Sequence, residues 1–160
     1  MEHKRNTKMD INDGVVTFTR IFDAPRTLVW KAWTDPDLLK RWWGPNGFSL
    51  TTLEMELVPD GIWRFMMHGP DGTDYPNKIR YMEITKPEKL VYRHTDDEAG
   101  TTAFQVTVSF LEEGNTTKLI MRTDCGSQEE LDRLDREYGA IEGGKQHLAR
   151  LSDFLGTLAP

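Results

Sequence analysis

The chain has 160 residues, one domain on a prior of roughly 100–200 residues per domain. At 38% apolar and 29% charged its composition is that of a globular protein, and a net charge of −6 offers no footprint for a phosphate backbone, which sets nucleic acid aside as a partner. The single cysteine, Cys125, excludes an internal disulfide framework, and no run of 18 apolar residues or basic leader with an apolar stretch is present, so the chain reads as cytoplasmic with no membrane partner.

Residues 1–14 read as a polar tail containing the basic run His3-Lys4-Arg5, and 15–160 as a single domain without repeats or a long linker. Val15 to Phe22 is rich in β-branched and aromatic residues and reads as a strand, with Val16 and Phe18 on one face. Asp23-Ala24-Pro25 punctuates the chain, with Asp23 as a helix cap. Leu28, Val29, Ala32 and Trp33 then share a helix face, and Asp35-Pro36 opens a second helix carrying Leu38, Leu39, Trp42 and Trp43. Gly44-Pro45-Asn46-Gly47 ends it.

From Phe48 the period changes to two. Leu53, Met55 and Leu57 alternate with Thr52, Glu54 and Glu56, and after the Pro59-Asp60-Gly61 turn Trp63, Phe65 and Met67 share a face. Strands follow over Lys78–Thr85, Leu90–Thr95, Thr102–Leu111 and Thr117–Thr123, with a turn over Asp96–Gly100; Phe104, Val106, Val108 and Phe110 face one way, as do Leu119 and Met121. Ser127 and Glu130 have capping-box spacing before a charged helix over Glu129–Tyr138. The C-terminal helix shows a stripe of Ile141, Lys145, Leu148, Leu151, Ser152, Leu155 and Leu158, with His147, Arg150 and Asp153 largely off it. Sequential strands joined by tight turns make an antiparallel meander, and only the last helix is long enough to cover its apolar face. The class is α+β, a curved sheet around one long helix.

Several segments resemble a known family. These are Phe22-Asp23-Ala24-Pro25, Val29-Trp30-Lys31-Ala32-Trp33-Thr34-Asp35-Pro36, Arg41-Trp42-Trp43-Gly44-Pro45, Gly61-Ile62-Trp63-Arg64-Phe65, Gly69-Pro70-Asp71-Gly72, and Tyr81-Met82-Glu83-Ile84 leading to Pro87-Glu88-Lys89-Leu90. Together they are similar to the SRPBCC (START-like) proteins, in the branch named for the activator homologue of the Hsp90 ATPase, over roughly residues 15–158. The resemblance implies a helix-grip fold and a hydrophobic ligand cavity. It implies no single activity: members bind apolar molecules, act as cyclase-like proteins, or carry the co-chaperone name by homology. One departure stands out. Gly143-Gly144 occupies a place where the family leads us to expect an aromatic, which predicts a wider cavity or a looser helix start.

His3, His68, His94 and His147 show no ligand spacing with one another or with Cys125, so no metal and no cofactor are expected. Nucleotide-binding glycine patterns and a G-x-S-x-G nucleophile motif are absent. The informative surplus is large and soft: Trp42, Trp43, Met55, Trp63, Phe65, Met67, Tyr81, Tyr92, Phe104, Val106, Met121 and Leu148 are the expected cavity lining. Acid–base chemistry rests on Glu83 and His94. If Ile79, Tyr81 and Glu83 share the cavity face, Glu83 is a carboxylate in an apolar site; the opposite parity puts Met82 and Ile84 inside and Glu83 in water. With Leu90 and Tyr92 inside, His94 points inward at the strand end. The leading reading is binding of an apolar or aromatic small molecule. The alternatives are a co-chaperone-like interaction domain with a chaperone partner, which lacks room for a second partner-binding domain, and a cyclase- or dehydratase-like enzyme. Open sheet edges also allow a homodimer.

Overall fold

The computed structural model describes residues 7–96 and 103–158; the turn read after Asp96 and the basic run His3-Lys4-Arg5 lie outside the described residues. The elements are β1 (Lys8–Asn12), β2 (Val15–Phe22), α1 (Arg26–Thr34), α2 (Pro36–Leu39), β3 (Ser49–Met55), β4 (Ile62–His68), β5 (Asp74–Thr85), β6 (Lys89–Asp96), β7 (Ala103–Glu113), β8 (Thr116–Asp124), α3 (Gln128–Tyr138) and α4 (Ala140–Leu158). The strands form one curved, unclosed antiparallel sheet in the order β1-β2-β8-β7-β6-β5-β4-β3, and with α4 it makes the helix-grip fold.

Local chemistry explains most boundaries. Asp35 caps α2 by accepting from the Asp37 amide at 2.9 Å, and Pro36 occupies the first helical position, where its missing N–H costs nothing. Ser127 Oγ accepts from the Glu130 amide at 3.1 Å to start α3, and Gly139, in the left-handed conformation, ends it and lets α4 begin at once. Asp23 is not a cap: Pro25 holds the N-cap position of α1 without a side-chain bond, so α1 is anchored by packing instead. Its Val29, Trp30, Ala32 and Trp33 are buried, and Trp30 meets Phe110 of β7 edge-on with ring centroids 5.2 Å apart.

Two bulges and an extra strand depart from simple alternation. A register shift between Thr52 and Glu54 leaves Leu53 57% exposed while Leu50 is buried and Met55 packs on the core, so Leu53 and Met55 do not share a face as their spacing suggested. A second shift between Tyr81 and Glu83 turns both Met82 and Glu83 outward. Lys8–Asn12, within the stretch read as a polar tail, pairs with β2 as an edge strand, and all five of its residues are exposed.

The core lies between the inner face of the sheet and a second layer of α1, α2 and α4. Val16, Phe18, Trp63, Phe65, Ile79, Tyr81, Leu90, Tyr92, Val106, Val108, Phe110, Leu119 and Met121 face it from the strands, and Leu148, Leu151, Phe154 and Leu155 from α4. Gly144 is where α4 crosses β2. A Cβ built there would lie 2.5 Å from the Phe18 ring, so the glycine does not widen the interior; Phe18 fills the space an aromatic at this position would need.

Candidate functional site

The inner face is buried unevenly along the strands. Tyr81, Tyr92, Val106, Val108 and Phe110 are closed off, whereas Met67, Asn77, His94 and Phe104, toward the other end of the same strands, each keep accessible surface. Register brings His94 opposite both Ile79 and Phe104, with Tyr81 opposite Tyr92 one step deeper. The interior therefore has a rim at the end near the β4–β5 turn and a closed floor of aromatic rings.

The residues Gln146, His147 and Arg150 of α4 close one side by gripping the chain after α2. Gly44, at φ +94°, turns its amide toward α4 and donates to His147 Nδ1 at 3.0 Å. The Asn46 amide donates to Gln146 Oε1, also at 3.0 Å. Arg150 Nη1 donates to the carbonyls of Trp43, Gly44 and Pro45 at 3.0, 3.1 and 2.8 Å. Read as off the apolar stripe, His147 and Arg150 are instead the polar anchors of the helix. His147 is 9% exposed, boxed by Trp33, Trp42 and Trp43 with centroid distances of 5.7, 4.8 and 4.5 Å.

These bonds fix the protons. A backbone amide can only donate, so His147 Nδ1 is the bare nitrogen and Nε2 carries the hydrogen. His94 Nε2 lies 2.7 Å from Asn77 Oδ1, and Asn77 Nδ2 donates to the Tyr75 carbonyl at 2.9 Å, which fixes the amide; His94 is thus also protonated at Nε2 and bare at Nδ1. Both rings are neutral. Burial, then the charge of Arg150 and the neighbouring His94, lowers His147 to about 3, and burial lowers His94 to about 4. The His94 ring is packed tightly enough to lose the hydration of its charged form yet keeps some accessible surface, as befits a residue at the rim.

Further polar atoms of the interior include Trp33 Nε1 and the hydroxyls of Tyr81 and Tyr92. Trp33 Nε1 is buried and has no hydrogen-bond partner. Burial raises both tyrosines well above the usual phenol range; for Tyr81 the neighbouring Tyr92 adds to the rise, and for Tyr92 the approaching Trp33 indole N–H offsets part of it without reaching hydrogen-bond geometry. The two tyrosine rings lie 6.5 Å apart. Sequence reasoning placed Tyr81 and Tyr92 in the cavity lining and pointed His94 inward, but it missed Trp33 and His147 as polar groups of the interior, which α1 and α4 bring in from far along the chain.

Several expected site residues have other work. Trp42 Nε1 donates to the Ala32 carbonyl at 3.0 Å and Trp63 Nε1 to Thr52 Oγ1 at 3.1 Å, so both indoles are spent on the fold. Trp43, Phe65, Met121 and Leu148 are buried core, and Met55 packs at its edge. Glu83 is a correction: the bulge puts it on the outer face opposite Val91, exposed and 3.6 Å from Lys89 Nζ, away from His94. Cys125 is buried, and desolvation, then Asp124 and Glu130, raise its thiol to about 11, far from a nucleophile's range. On the convex face Thr51 Oγ1 and Asp74 Oδ1 each lie 2.8 Å from His68, a cross-strand chain open to solvent.

Among the described residues no group of three His, Cys, Asp or Glu side chains is placed to hold a metal, and no helix is long and apolar enough to cross a membrane. Two shallow depressions flank α4, one lined by Arg41, Arg150, Asp153, Phe154 and Thr157 and the other by Thr7, Arg20, Glu142, Lys145, Gln146 and Ala149. Neither is lined by the inner-face aromatics, so neither is the enclosed apolar cavity expected from the sequence.

Residues 23–156 match the family described as Activator of Hsp90 ATPase homolog 1-like protein. Among solved structures, a protein from Arthrobacter aurescens shares 26% identity at a TM-score of 0.88, over 94% of this chain and 91% of that one. Protein Ms6760 from Mycobacterium smegmatis shares 24% at 0.82, over 96% and 98%. DynU16, from the dynemicin biosynthetic locus, shares 20% at 0.66, over 93% of this chain but 49% of its own. No curated protein matches.

Proposed function

The chain belongs to the Activator of Hsp90 ATPase homolog 1-like family, and on that premise we propose that it binds an apolar or aromatic small molecule between the inner face of its sheet and α4. Membership suggests ligand binding or a cyclase-like role without specifying the ligand. The observation that carries the proposal is the uneven burial of the inner face: a rim of Met67, Asn77, His94 and Phe104 above a floor that ends in Tyr81 and Tyr92. A ligand enters at the rim and displaces its soft side chains, chiefly Met67, whose unbranched thioether adapts at low cost. The floor supplies stacking surface, and the polar tips orient the bound molecule.

Binding is favoured over catalysis because the acid–base candidates do not meet. Glu83 is outside, and His94 lacks a second titratable partner poised near neutrality. The test is a thermal-shift screen of the purified chain against lipids, polyketides, flavonoids and small aromatic acids. A ligand at 100 times its dissociation constant stabilises the fold by about 2.7 kcal/mol. The expected result is a saturable hit that weakens in Phe104→Ala and His94→Ala while the unliganded stability of the variants stays measurable. A flat response across the library refutes the proposal and turns attention to a protein partner.

A further inference from the structure

We infer that the unspent N–H of Trp33, with the N–H of the neighbouring His147 ring beside it, selects the bound molecule by a neutral oxygen acceptor, a carbonyl or ether set on an apolar aromatic body. The inference rests on the binding reading above and names the chemistry of its ligand.

Buried donors in folded proteins are almost always paired, so one left alone at the centre of an aromatic cluster calls for a reason. Trp33 Nε1 is such a donor, on a side chain 2% exposed. Two other indoles, Trp42 and Trp63, follow the rule and donate at 3.0 and 3.1 Å. His147 adds a second N–H donor: the Gly44 amide occupies Nδ1, so the ring hydrogen is on Nε2. The Trp33 and His147 ring centroids are 5.7 Å apart at 77°, and the Trp33 indole edge approaches the Tyr92 hydroxyl. The two rings thus meet where the aromatic floor reaches α4.

The sign of the ligand follows from what is missing around them. Arg150, the cation whose charge acts on His147, donates through Nη1 to three carbonyls, and both histidines are neutral. A carboxylate placed here would lose its hydration, with only the charge of Arg150, whose Nη1 is already held by three carbonyls, to offset the loss. A plain hydrocarbon would leave the donors as they are. A neutral oxygen recovers at least one of them, which is about 5- to 150-fold in affinity (1–3 kcal/mol at 1.4 kcal/mol per decade).

Three probes of one shape separate these cases: 2-isopropenylnaphthalene, 2-acetylnaphthalene and 2-naphthoate, titrated calorimetrically into the full chain at pH 7.5. The ketone is expected to bind at least about 5-fold tighter than the hydrocarbon, with the anion weakest. In parallel, the indole N–H resonances of the five tryptophans are followed by nitrogen-15 NMR, the Trp33 signal being the one lost in Trp33→Phe. The ketone should move that signal downfield and the hydrocarbon should not. Equal binding of ketone and hydrocarbon, or tightest binding of naphthoate, overturns the inference and leaves the pocket standing. If none of the three binds, the pocket reading falls and the inference with it.

Discussion

Lowering the pH from 7 to 5 should destabilise this fold through two histidines held neutral inside it. Their folded values, about 3 for His147 and about 4 for His94, lie below the 6.5 of a free imidazole. Above pH 6.5 both states are uncharged and neither ring contributes to pH dependence. Below it the unfolded chain takes up protons that the folded chain refuses, so stability falls with pH until the folded values are reached. At pH 5 each ring costs about 2 kcal/mol relative to pH 7, about 4 kcal/mol together, a large part of a typical stability of roughly 5–15 kcal/mol. Geometry agrees with the sign, because a proton on His147 Nδ1 would face the Gly44 amide hydrogen directly. The window is clean of the two perturbed carboxyls: Asp71, lowered by hydrogen bonds from Thr73, and Glu130, lowered by Arg133, lose their contribution only at still lower pH. Urea unfolding followed by tryptophan fluorescence at pH 7, 6 and 5 measures the effect, and His147→Gln should remove about half of the slope whatever it does to stability at pH 7. A wild-type stability that changes by less than about 1 kcal/mol across this range would refute the burial of two neutral imidazoles.

Two further predictions follow from the packing. Gly143 and Gly144 both lie in α4, and alanine is the better helix former by about 1 kcal/mol. A Cβ at Gly143 would meet Pro45 at an ordinary 3.6 Å, so Gly143→Ala should raise stability by about 0.5–1 kcal/mol. At Gly144 it would meet the buried Phe18 ring at 2.5 Å, so Gly144→Ala should lower stability by about 1–2 kcal/mol net of the propensity gain; equal shifts in denaturant midpoint for the two variants would show that α4 does not sit on Phe18. Cys125, buried with its thiol raised to about 11, should resist a disulfide reagent at pH 8 in the native chain and react within seconds in urea; prompt native labelling would place it at the surface.

How far the sequence could be read depended on what holds each element. Where alternation reports a buried face, as in Trp63-x-Phe65-x-Met67 or Val16-x-Phe18, the inner residues were legible, and so was the Ser127 cap, a matter of three residues. The strand Lys8–Asn12 was not: it is an edge strand held by backbone pairing with no buried face, so it leaves no periodic trace. The orientation of Glu83 was undecidable in principle from period alone, since one inserted residue reverses every following side chain and the bulge at Met82 is such an insertion. His147 and Arg150 were misread for a related reason. The stripe argument assumes a helix covered on one side, but α4 packs on β2 and also against α1, and the buried arc widens to take in polar residues whose bonds run to Trp43, Gly44 and Pro45.

That widened arc also bears on what the interior is for. A general base works best with a pKa near the ambient pH. Burial holds His94 at about 4 and His147 at about 3, well below pH 7, so neither ring is tuned for proton abstraction. The same depression keeps both imidazoles uncharged, each with one N–H and one bare nitrogen, in a region where a charge would need a counter-ion. An interior that holds neutral donors and acceptors fixed between aromatic rings pre-orients a polar group at little further cost in side-chain entropy. Such a site fits the binding role proposed above. Of the two groups nominated for a cyclase-like role, Glu83 faces water beside Lys89 and His94 is held neutral by burial.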